Sequence, residues 1–275
     1  MKRVVVLTGS ELRHTFARIF LAASDGIEVA QCFCEGIEKS LAATVEADAV
    51  SSLRKKHVLA RQQSEEDFFR SYVEAVSDRS RPRFLEKGAI NSPDSTQRVI
   101  DLAPDLVVAY GCSIIREPLL QTFSGRFVNV HLGLSPYYRG SGTNFWPLVN
   151  GEPQYAGATF MHIDAGIDTG EIIHQIRARV AWGDTPSSIG SRLISDMVHA
   201  CRDIILRFDD LERMPQLPVP DNTRFCKKKD FTEESVVALY RRFDRGLVAE
   251  HIEEESARCK NVPIIENPAI REAGL

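Results

Sequence analysis

The chain opens with an apolar run that passes through a glycine loop into a helical pattern, and this stretch constrains the fold most. Residues 4–7 (Val-Val-Val-Leu) are mostly β-branched and are typical of a buried strand. Residues 8–10 (Thr-Gly-Ser) then form a tight loop, after which apolar residues recur at helical spacing through Leu21. Strand, glycine loop and helix in this order predict the start of a doubly wound α/β domain.

Strand and helix patterns continue along the chain. Strands are predicted over residues 27–34, 105–110 and 127–131, and residues 156–163 and 171–179 are predicted to pair across a loop at 164–170. Helices are predicted over residues 62–76, 96–102, 116–123 and 187–208, with a mixed, helical segment at 35–59 and a loop at 77–84. The buried side of the helix at 62–76 is predicted to consist of Phe68, Phe69, Tyr72, Val73 and Val76.

Three prolines between residues 214 and 220 exclude regular helix there and predict a boundary. We therefore expect a catalytic domain at residues 1–208, with a mostly parallel sheet, and a small helical appendage at residues 209–275. Apolar residues at helical spacing predict a helix or helix pair over residues 231–254. We expect the appendage either to pack on the core or to form the subunit contact of a homodimer.

The composition excludes several classes of protein. The net charge of -4 provides no global basic field, so we expect no long nucleic acid as partner, and Lys227, Lys228 and Lys229 are interpreted as a solvated surface turn. The six cysteines have no zinc-ligand spacing and are predicted to be free thiols, and no metal is expected. The first apolar run is too short for a signal peptide, and no run reaches membrane-spanning length. We therefore expect a cytoplasmic protein without membrane contact.

Asn129 and His131 form the first candidate site. They lie two residues apart on a predicted strand, so both side chains point to the same face. In doubly wound sheets, ligands bind beyond the carboxyl ends of the strands, and Gly133 and Pro136 punctuate this strand end. An amide can donate to a carbonyl oxygen that gains charge, and an imidazole can donate a proton near neutral pH. This pair suits acyl chemistry.

The loop at residues 164–170 (Asp-Ala-Gly-Ile-Asp-Thr-Gly) is the second candidate site. Its two glycines allow the backbone to approach a ligand closely. A carboxylate that reached His131 would orient the imidazole and raise its pKa by charge pairing. The pattern alone also fits a calcium loop or a plain turn, although no further carboxylate follows at the spacing that a calcium loop needs.

Taken together with their flanks, these segments resemble the formyltransferases. The resemblance rests on Asn-x-His at residues 129–131, Pro136, Tyr-Arg-Gly at 138–140, and Asp-x-Gly-x-Asp-Thr-Gly at 164–170, and it covers residues 95–208 best. The family includes enzymes that formylate methionyl-tRNA, glycinamide ribonucleotide and sugar nucleotides. Membership implies a Rossmann-like domain and N10-formyltetrahydrofolate as the formyl donor.

The resemblance also implies roles for particular residues. Asn129, His131 and Asp168 match the catalytic trio of the family. The segment that matches the lining of the pterin pocket is Tyr110, Gly111, Cys112, Ser113, Ile114 and Ile115, and the loop that reads the pterin edge matches Ala165, Gly166 and Ile167. This chain departs from the pattern at Leu132, where the family usually has proline, and at Cys112 and Ser113, where an apolar pair is usual.

The acceptor amine is less constrained. The chain after residue 208 is too short for the C-terminal barrel of the tRNA enzyme, and Glu11 stands where the purine enzyme has a glycine-rich phosphate loop. A nucleotide-linked amino sugar is therefore the leading prediction, with another small amine or glycinamide ribonucleotide as alternatives. Residues predicted to contact the acceptor are Gly9, Ser10, Arg139, Asn144 and Trp146. A formyltetrahydrofolate hydrolase and a non-catalytic folate-binding scaffold are further alternatives.

Overall fold

The buried β-branched runs form the strands of one sheet. The computed structural model describes residues 1–36, 52–164, 166, 169–218 and 223–271. The strands of the sheet are β1 (Lys2–Gly9), β2 (Ile27–Glu35), β3 (Pro82–Leu85), β4 (Leu106–Tyr110), β5 (Phe127–His131), β7 (Gly157–His162) and β8 (Ile172–Arg177). Their order is β3-β2-β1-β4-β5-β7-β8. Strands β3 to β5 pair in parallel, and β7 and β8 add antiparallel pairs, which gives the mostly parallel α/β architecture expected from the sequence.

Helices cover both faces of the sheet because the side chains of its strands alternate between two apolar cores. Val4 and Val6 belong to one core, which packs against α1 (Leu12–Ala23), α2 (Leu53–Ala75) and α6 (Pro186–Leu206). Val5 and Leu7 belong to the other, which packs against α3 (Pro93–Asp101) and the short α4 (Leu119–Thr122). The sheet is therefore doubly wound.

The remaining elements lie beyond β5 and after α6. They are β6 (Tyr138–Gly140), α5 (Phe145–Asn150), β9 (Arg224–Cys226), α7 (Glu233–Asp244), α8 (Leu247–Lys260) and α9 (Pro268–Arg271). The predicted helix pair is present as α7 and α8, separated by Gly246 at φ 92°.

The C-terminal segment packs on the core. Strand β9 pairs in parallel with β6, and Met214 forms an antiparallel bridge with Ile172. The Gln175 backbone N–H donates to the Ile265 carbonyl at 2.7 Å, so the chain returns to the outer edge of β8. The division at residues 208/209 remains a prediction, and so does a homodimer.

Several sequence predictions need correction. The predicted loop at 77–84 ends in β3, an edge strand in which Pro82 takes the first position, where a missing N–H does least harm. Helix α2 begins at Leu53 rather than residue 62, and Phe68, predicted to be buried, is 40% exposed. Phe69 is buried, as predicted, and stacks on Phe16 with ring centroids 4.6 Å apart.

Two more helix predictions are too long. The helix predicted over 116–123 is reduced to α4, because Pro118 disfavours helical backbone at the residue before it. The segment at 35–59 is not one helix: Glu35 ends β2 and α2 begins at Leu53, while residues 37–51 lie outside the described part of the chain.

The structure also bears on the cysteines and on membrane contact. All six cysteines are free thiols, as predicted. Within the described ranges, no helix combines the length and the apolar character needed to cross a bilayer.

Candidate active site

The carboxyl ends of β4 and β5 open into a cavity of about 1170 Å³. The strand order reverses between β1 and β4, and ligands of doubly wound sheets bind beyond the carboxyl ends of the strands near such a point. The cavity continues past the strand ends to α2, α5 and α6, and residues of the C-terminal segment complete its wall. Its size suits two medium-sized substrates better than one.

Asn129 and His131 both line this cavity, on the same face of β5. Both side chains are half-buried, whereas Val128 and Val130 point into the core on the other face. Asn129 lies opposite Ala109 on β4 and Met161 on β7, and His131 lies opposite Thr159. The pair is therefore presented by a central strand that is fixed on both sides.

Gly133 allows the chain after His131 to turn tightly against its surroundings. A Cβ at this position would lie 2.8 Å from His131 Nε2 and 2.7 Å from Thr143 Cβ. The Gly133 carbonyl accepts a hydrogen bond from Thr159 Oγ1 at 2.6 Å, and Thr159 Oγ1 accepts one from the Ser135 N–H at 3.1 Å. These buried contacts hold the imidazole in place against the turn that follows it.

The loop after β7 is closed by its own polar groups. Asp164 accepts hydrogen bonds from the Gly166 N–H at 2.9 Å and from Thr169 Oγ1 at 2.7 Å. Gly170 lies directly against the His162 carbonyl, where a Cβ would approach the oxygen to 1.8 Å. Asp164 thus acts as the internal brace of the loop, and Gly166 lines the cavity.

Three predicted residues of this loop, Ala165, Ile167 and Asp168, lie outside the described residues. The proposed contact between the Asp168 carboxylate and His131 therefore stays a prediction. So does the role of Ala165 and Ile167 at the pterin edge.

All six residues of the segment at 110–115 line the cavity. Gly111 has φ 73°, and a Cβ there would lie 2.4 Å from His14 Nε2, so glycine is required both by the backbone and by the close approach of the imidazole. Burial, together with the charge of Glu35, raises the pKa of the Cys112 thiol to about 12. Cys112 is therefore a neutral thiol at pH 7, which excludes a thiolate nucleophile at this position.

Glu35, at the end of β2, fixes this segment from behind. Its carboxylate is 1% exposed and accepts hydrogen bonds from the N–H groups of Ser113 at 2.7 Å, Gly88 at 2.9 Å and Ile90 at 3.2 Å. Burial alone would raise the pKa of Glu35, but the hydrogen bonds from Ser113 and Ile90 and the charge of Lys87 lower it below its ordinary value. The carboxylate stays ionised and ties two loops together.

Two of the five residues predicted to contact the acceptor line the cavity, and three do not. Asn144 and Trp146 line the cavity, and each has a structural bond: Asn144 Oδ1 accepts from the Gly157 N–H at 2.9 Å, and Trp146 Nε1 donates to the Ser141 carbonyl at 3.1 Å. Gly9, Ser10 and Arg139 do not line it. A Cβ on Gly9 would lie 2.6 Å from His14 Nδ1, so this glycine makes room for the imidazole.

Sequence reasoning missed a polar group on the far side of the cavity. It consists of Arg13 and His14 on α1 and of His57, Arg61 and Glu65 on α2. His57, Arg61 and Glu65 recur every four residues and so share one helix face. Polar residues at this spacing in a segment with helical character were the available signal. Burial lowers the pKa of His57 to about 4, with a further contribution from the charge of Arg61, so His57 is neutral at pH 7.

The lysine run at 227–229 also needs a partial correction. The three side chains are exposed, as a solvated turn requires, but Lys227 and Lys228 also line the cavity.

Known proteins resemble this chain in sequence over about half of its length. The methionyl-tRNA formyltransferase of Desulforamulus reducens is 32% identical over 148 residues, which are 52% of this chain and 46% of that protein. The same enzyme of Acetivibrio thermocellus is 31% identical over 153 residues, which are 52% and 49% of the two chains. The chain thus spans about half the length of the curated relatives that it matches.

Solved structures share the fold. A sugar N-formyltransferase from Shewanella sp FDAARGOS_354 superposes with a TM-score of 0.54 at 16% identity and covers 84% of this chain and 78% of its own. Glycinamide ribonucleotide transformylase 1 from Symbiobacterium toebii gives 0.53 at 21% identity, with 78% and 94% covered. The N-formyltransferase from Helicobacter canadensis, in complex with folinic acid and dTDP-3-aminofucose, gives 0.52 at 16% identity, with 84% and 73% covered.

The sequence model of the family described as Formyl transferase matches residues 17–201. This range includes β4, β5, the loop at 164–170 and most of the cavity wall. The match covers well over half of the chain and contains both Asn129 and His131. The chain belongs to the formyl transferase family.

Proposed function

We propose that this protein transfers a formyl group from N10-formyltetrahydrofolate to a primary amine. The observation that carries the proposal is the pair Asn129 and His131, which line one cavity on one face of β5 in a chain of this family. An amide and an imidazole side by side provide two hydrogen-bond donors for one oxygen atom. Acyl transfer to an amine needs such donors at the oxygen of the reacting carbonyl.

The roles of the side chains follow from the bonds that change. The amine nitrogen forms a bond to the formyl carbon, and the bond from that carbon to N10 of the carrier breaks. Asn129 and His131 stabilise the negative charge that develops on the formyl oxygen. The proton lost by the amine passes to N10 of the departing tetrahydrofolate, through His131 or a water held by Asp168. Asp168 also orients the imidazole.

The segment at 110–115 fits a flat, polar heterocycle. It offers apolar side chains and backbone edges at a strand end. Glu35 holds the segment in position through the Ser113 N–H. We assign the pterin of the donor to this segment and to Gly166, together with Ala165 and Ile167 on the grounds of their motif.

For the acceptor we propose a nucleotide-linked amino sugar. The Helicobacter canadensis neighbour is a structure with such a compound, and this cavity also has room for a second substrate beside the donor. The described residues after 208 form helices and one short strand, unlike the barrel expected of an enzyme that binds tRNA. The net charge of -4 also disfavours a polyanionic acceptor of that size.

The test is amine-dependent release of tetrahydrofolate. Purified protein is incubated with N10-formyltetrahydrofolate alone and with a panel of nucleotide-linked amino sugars, glycinamide ribonucleotide and methionyl-tRNA, and tetrahydrofolate is measured. We expect release only with an amino sugar of the panel. Release without any amine would instead indicate a hydrolase, and donor binding without turnover on any amine would indicate a folate-binding scaffold. Turnover on tRNA or glycinamide ribonucleotide alone would contradict the acceptor proposal.

A further inference from the structure

Helix α2 presents a polar stripe to the cavity. His57, Arg61 and Glu65 lie at intervals of four residues, and all three line the wall. Residues beside this stripe tie the helix to the core: Ser64 Oγ lies 2.9 Å from Ser191 Oγ of α6, and Phe69 packs on Phe16. The stripe is therefore held rigidly at the cavity surface.

The two arginines on this side of the cavity differ in their hydrogen bonds to carboxylates. Arg13 donates to Glu65 Oε1 at 2.8 Å and also bonds to Glu11, so its guanidinium is used by the two carboxylates. Arg61 lies 3.7 Å from Glu65 and 3.8 Å from Glu11, beyond hydrogen-bond distance. Arg61 Nε is buried and has no hydrogen-bond acceptor among the described residues. A buried guanidinium donor in this state calls for an acceptor from a ligand.

The C-terminal segment supplies the facing wall. Lys227, Lys228 and Phe231 line the same cavity, and the Phe231 ring lies 6.0 Å from the His57 ring and 5.2 Å from the ring of Phe145. The wall is joined to α2 by Glu233, whose carboxylate accepts from the Leu53 N–H at 2.6 Å and the Arg54 N–H at 3.0 Å. We call His57, Arg61, Glu65, Lys227, Lys228 and Phe231 the helix side of the cavity.

The helix side combines cations with flat rings. Arg13 and Arg61 together balance Glu11 and Glu65, so Lys227 and Lys228 leave an excess of positive charge. The two neighbouring histidines do not add to it, because burial lowers the pKa of both His14 and His57. Phe231, Phe145 and Trp146 line the same cavity as these cations, and the rings of Phe145 and Trp146 lie 4.9 Å apart, edge to face. Cations and aromatic rings in one cavity are the chemistry that recognises a phosphorylated base.

We propose that the helix side binds the nucleotide part of the acceptor, with Arg61, Lys227 and Lys228 at its phosphates and Phe231 at its base. This inference deepens the proposed function and rests on it. It assigns the acceptor to a helix face and to the C-terminal segment, and it makes that segment part of the substrate site. Arg61 is then the residue that selects an acceptor with phosphate.

Binding of uridine diphosphate, measured by titration calorimetry, tests the proposal. Uridine and inorganic pyrophosphate serve as separate probes of the ring and of the charge. The variant is Arg61→Met, which keeps an unbranched apolar stem and removes the guanidinium donors. The matched control is Lys56→Met, which removes a charge from an exposed position on the same helix outside the cavity.

We expect the wild type to bind uridine diphosphate more tightly than either probe alone. Arg61→Met should raise the Kd for uridine diphosphate about tenfold or more, as loss of a charge-assisted bond predicts, whereas Lys56→Met should leave it within about twofold. Affinity for folinic acid should be the same in all three proteins, which also shows that they are folded.

Other outcomes would overturn the proposal. No binding of uridine diphosphate at millimolar concentration would do so, and so would equal weakening by Arg61→Met and Lys56→Met, since that indicates general charge attraction. Equal affinity for pyrophosphate and uridine diphosphate would contradict a role for Phe231. The proposed function would fail on a different result, namely a wild-type protein that does not bind folinic acid or shows no amine-dependent turnover. That result does not depend on Arg61.

Discussion

The two sides of the cavity are built in different ways. The strand-end side consists of residues 110–115, Asn129, His131 and the loop at 164–170. These residues lie at or after the ends of β4, β5 and β7, within 61 residues of sequence. The helix side combines α2 with residues 227–231, which are more than 150 residues further along the chain. On the strand-end side, glycines and backbone bonds determine the geometry; on the helix side, long charged and aromatic side chains do.

This difference matches what each side is proposed to bind. A formyl carrier that is common to a whole family can be bound by backbone groups and small residues, whose positions tolerate few substitutions. An acceptor that differs between family members is better read by side chains on a helix face and on an added segment, which can vary without disturbing the strands. If the two sides act separately, a substitution on one side should leave binding at the other side unaltered.

His131→Asn should lower kcat by about 10²-fold or more, because the variant lacks the imidazole that donates to the formyl oxygen. Initial rates of tetrahydrofolate release at saturating acceptor measure this. His199→Asn is the control, since His199 bonds to the Ser195 carbonyl within α6 and does not line the cavity. Near-normal turnover of His131→Asn would show that the catalytic centre does not lie on the strand-end side.

Asp168→Asn should fold normally and lose most of its activity, because an amide cannot hold the imidazole or accept a proton as a carboxylate does. Circular dichroism and single-turnover rates separate the two effects. The matched change Asp210→Asn, at an exposed position, should leave both measurements unaltered. An unfolded Asp168→Asn protein would show that this carboxylate supports the loop rather than the chemistry.

Gly133→Ala should lower kcat about tenfold, because the added Cβ would lie within 2.8 Å of His131 Nε2 and 2.7 Å of Thr143 Cβ, and so displaces the imidazole. The Km for the acceptor should stay within about threefold. Among the described residues, an added Cβ at Gly36 meets the Leu85 carbonyl oxygen alone, at 3.4 Å, so Gly36→Ala is a suitable control. A larger change in acceptor Km than in kcat would mean that the turn after β5 also shapes the helix side.

Glu35→Gln should destabilise the protein by about 1–3 kcal/mol at pH 7, because an amide cannot satisfy three N–H donors and Lys87 as a carboxylate does. The folded-state pKa of Glu35 lies below 4.5, its ordinary value, so its contribution is present above pH 4.5 and is lost as the pH falls through the folded-state pKa. Thermal unfolding from pH 7 to pH 3 measures this.

In that titration, the Tm of the wild type should fall more steeply on acidification than the Tm of Glu35→Gln. The Km for the formyl donor should rise severalfold in the variant while the acceptor Km is unchanged, since Glu35 fixes Ser113 on the strand-end side. Parallel pH curves for the two proteins would contradict the assigned role.

The placement of Asn129 and His131 at the cavity is predicted by the sequence for a physical reason. Buried parallel strands need continuous β-branched runs, and the residues at their ends follow directly in the sequence, so the pattern alone assigns Asn129 and His131 to one face. Strand β3 cannot be predicted in this way, because Pro82 and its polar neighbours are typical of a loop. It becomes a strand by pairing with the edge of the sheet.

The helix side cannot be predicted in this way. The first turns of α2 have few apolar residues, and their stability comes from the Ser52 cap and from Glu233, 180 residues away in the sequence. Arg61 and Lys228 have no common motif; only the tertiary fold makes them neighbours of one cavity. Gly9 shows the reverse case, in which a motif-like glycine lies against His14 rather than against the cavity.

The most direct test of two separate sides is a competition titration with both ligands. Folinic acid is titrated into the wild-type protein alone and again in the presence of saturating uridine diphosphate. The account predicts one site for each ligand, a ternary complex, and a Kd for folinic acid that changes by less than about threefold. A Kd for folinic acid that rises in proportion to the concentration of uridine diphosphate would show that the ligands share one site, and it would contradict the division of the cavity.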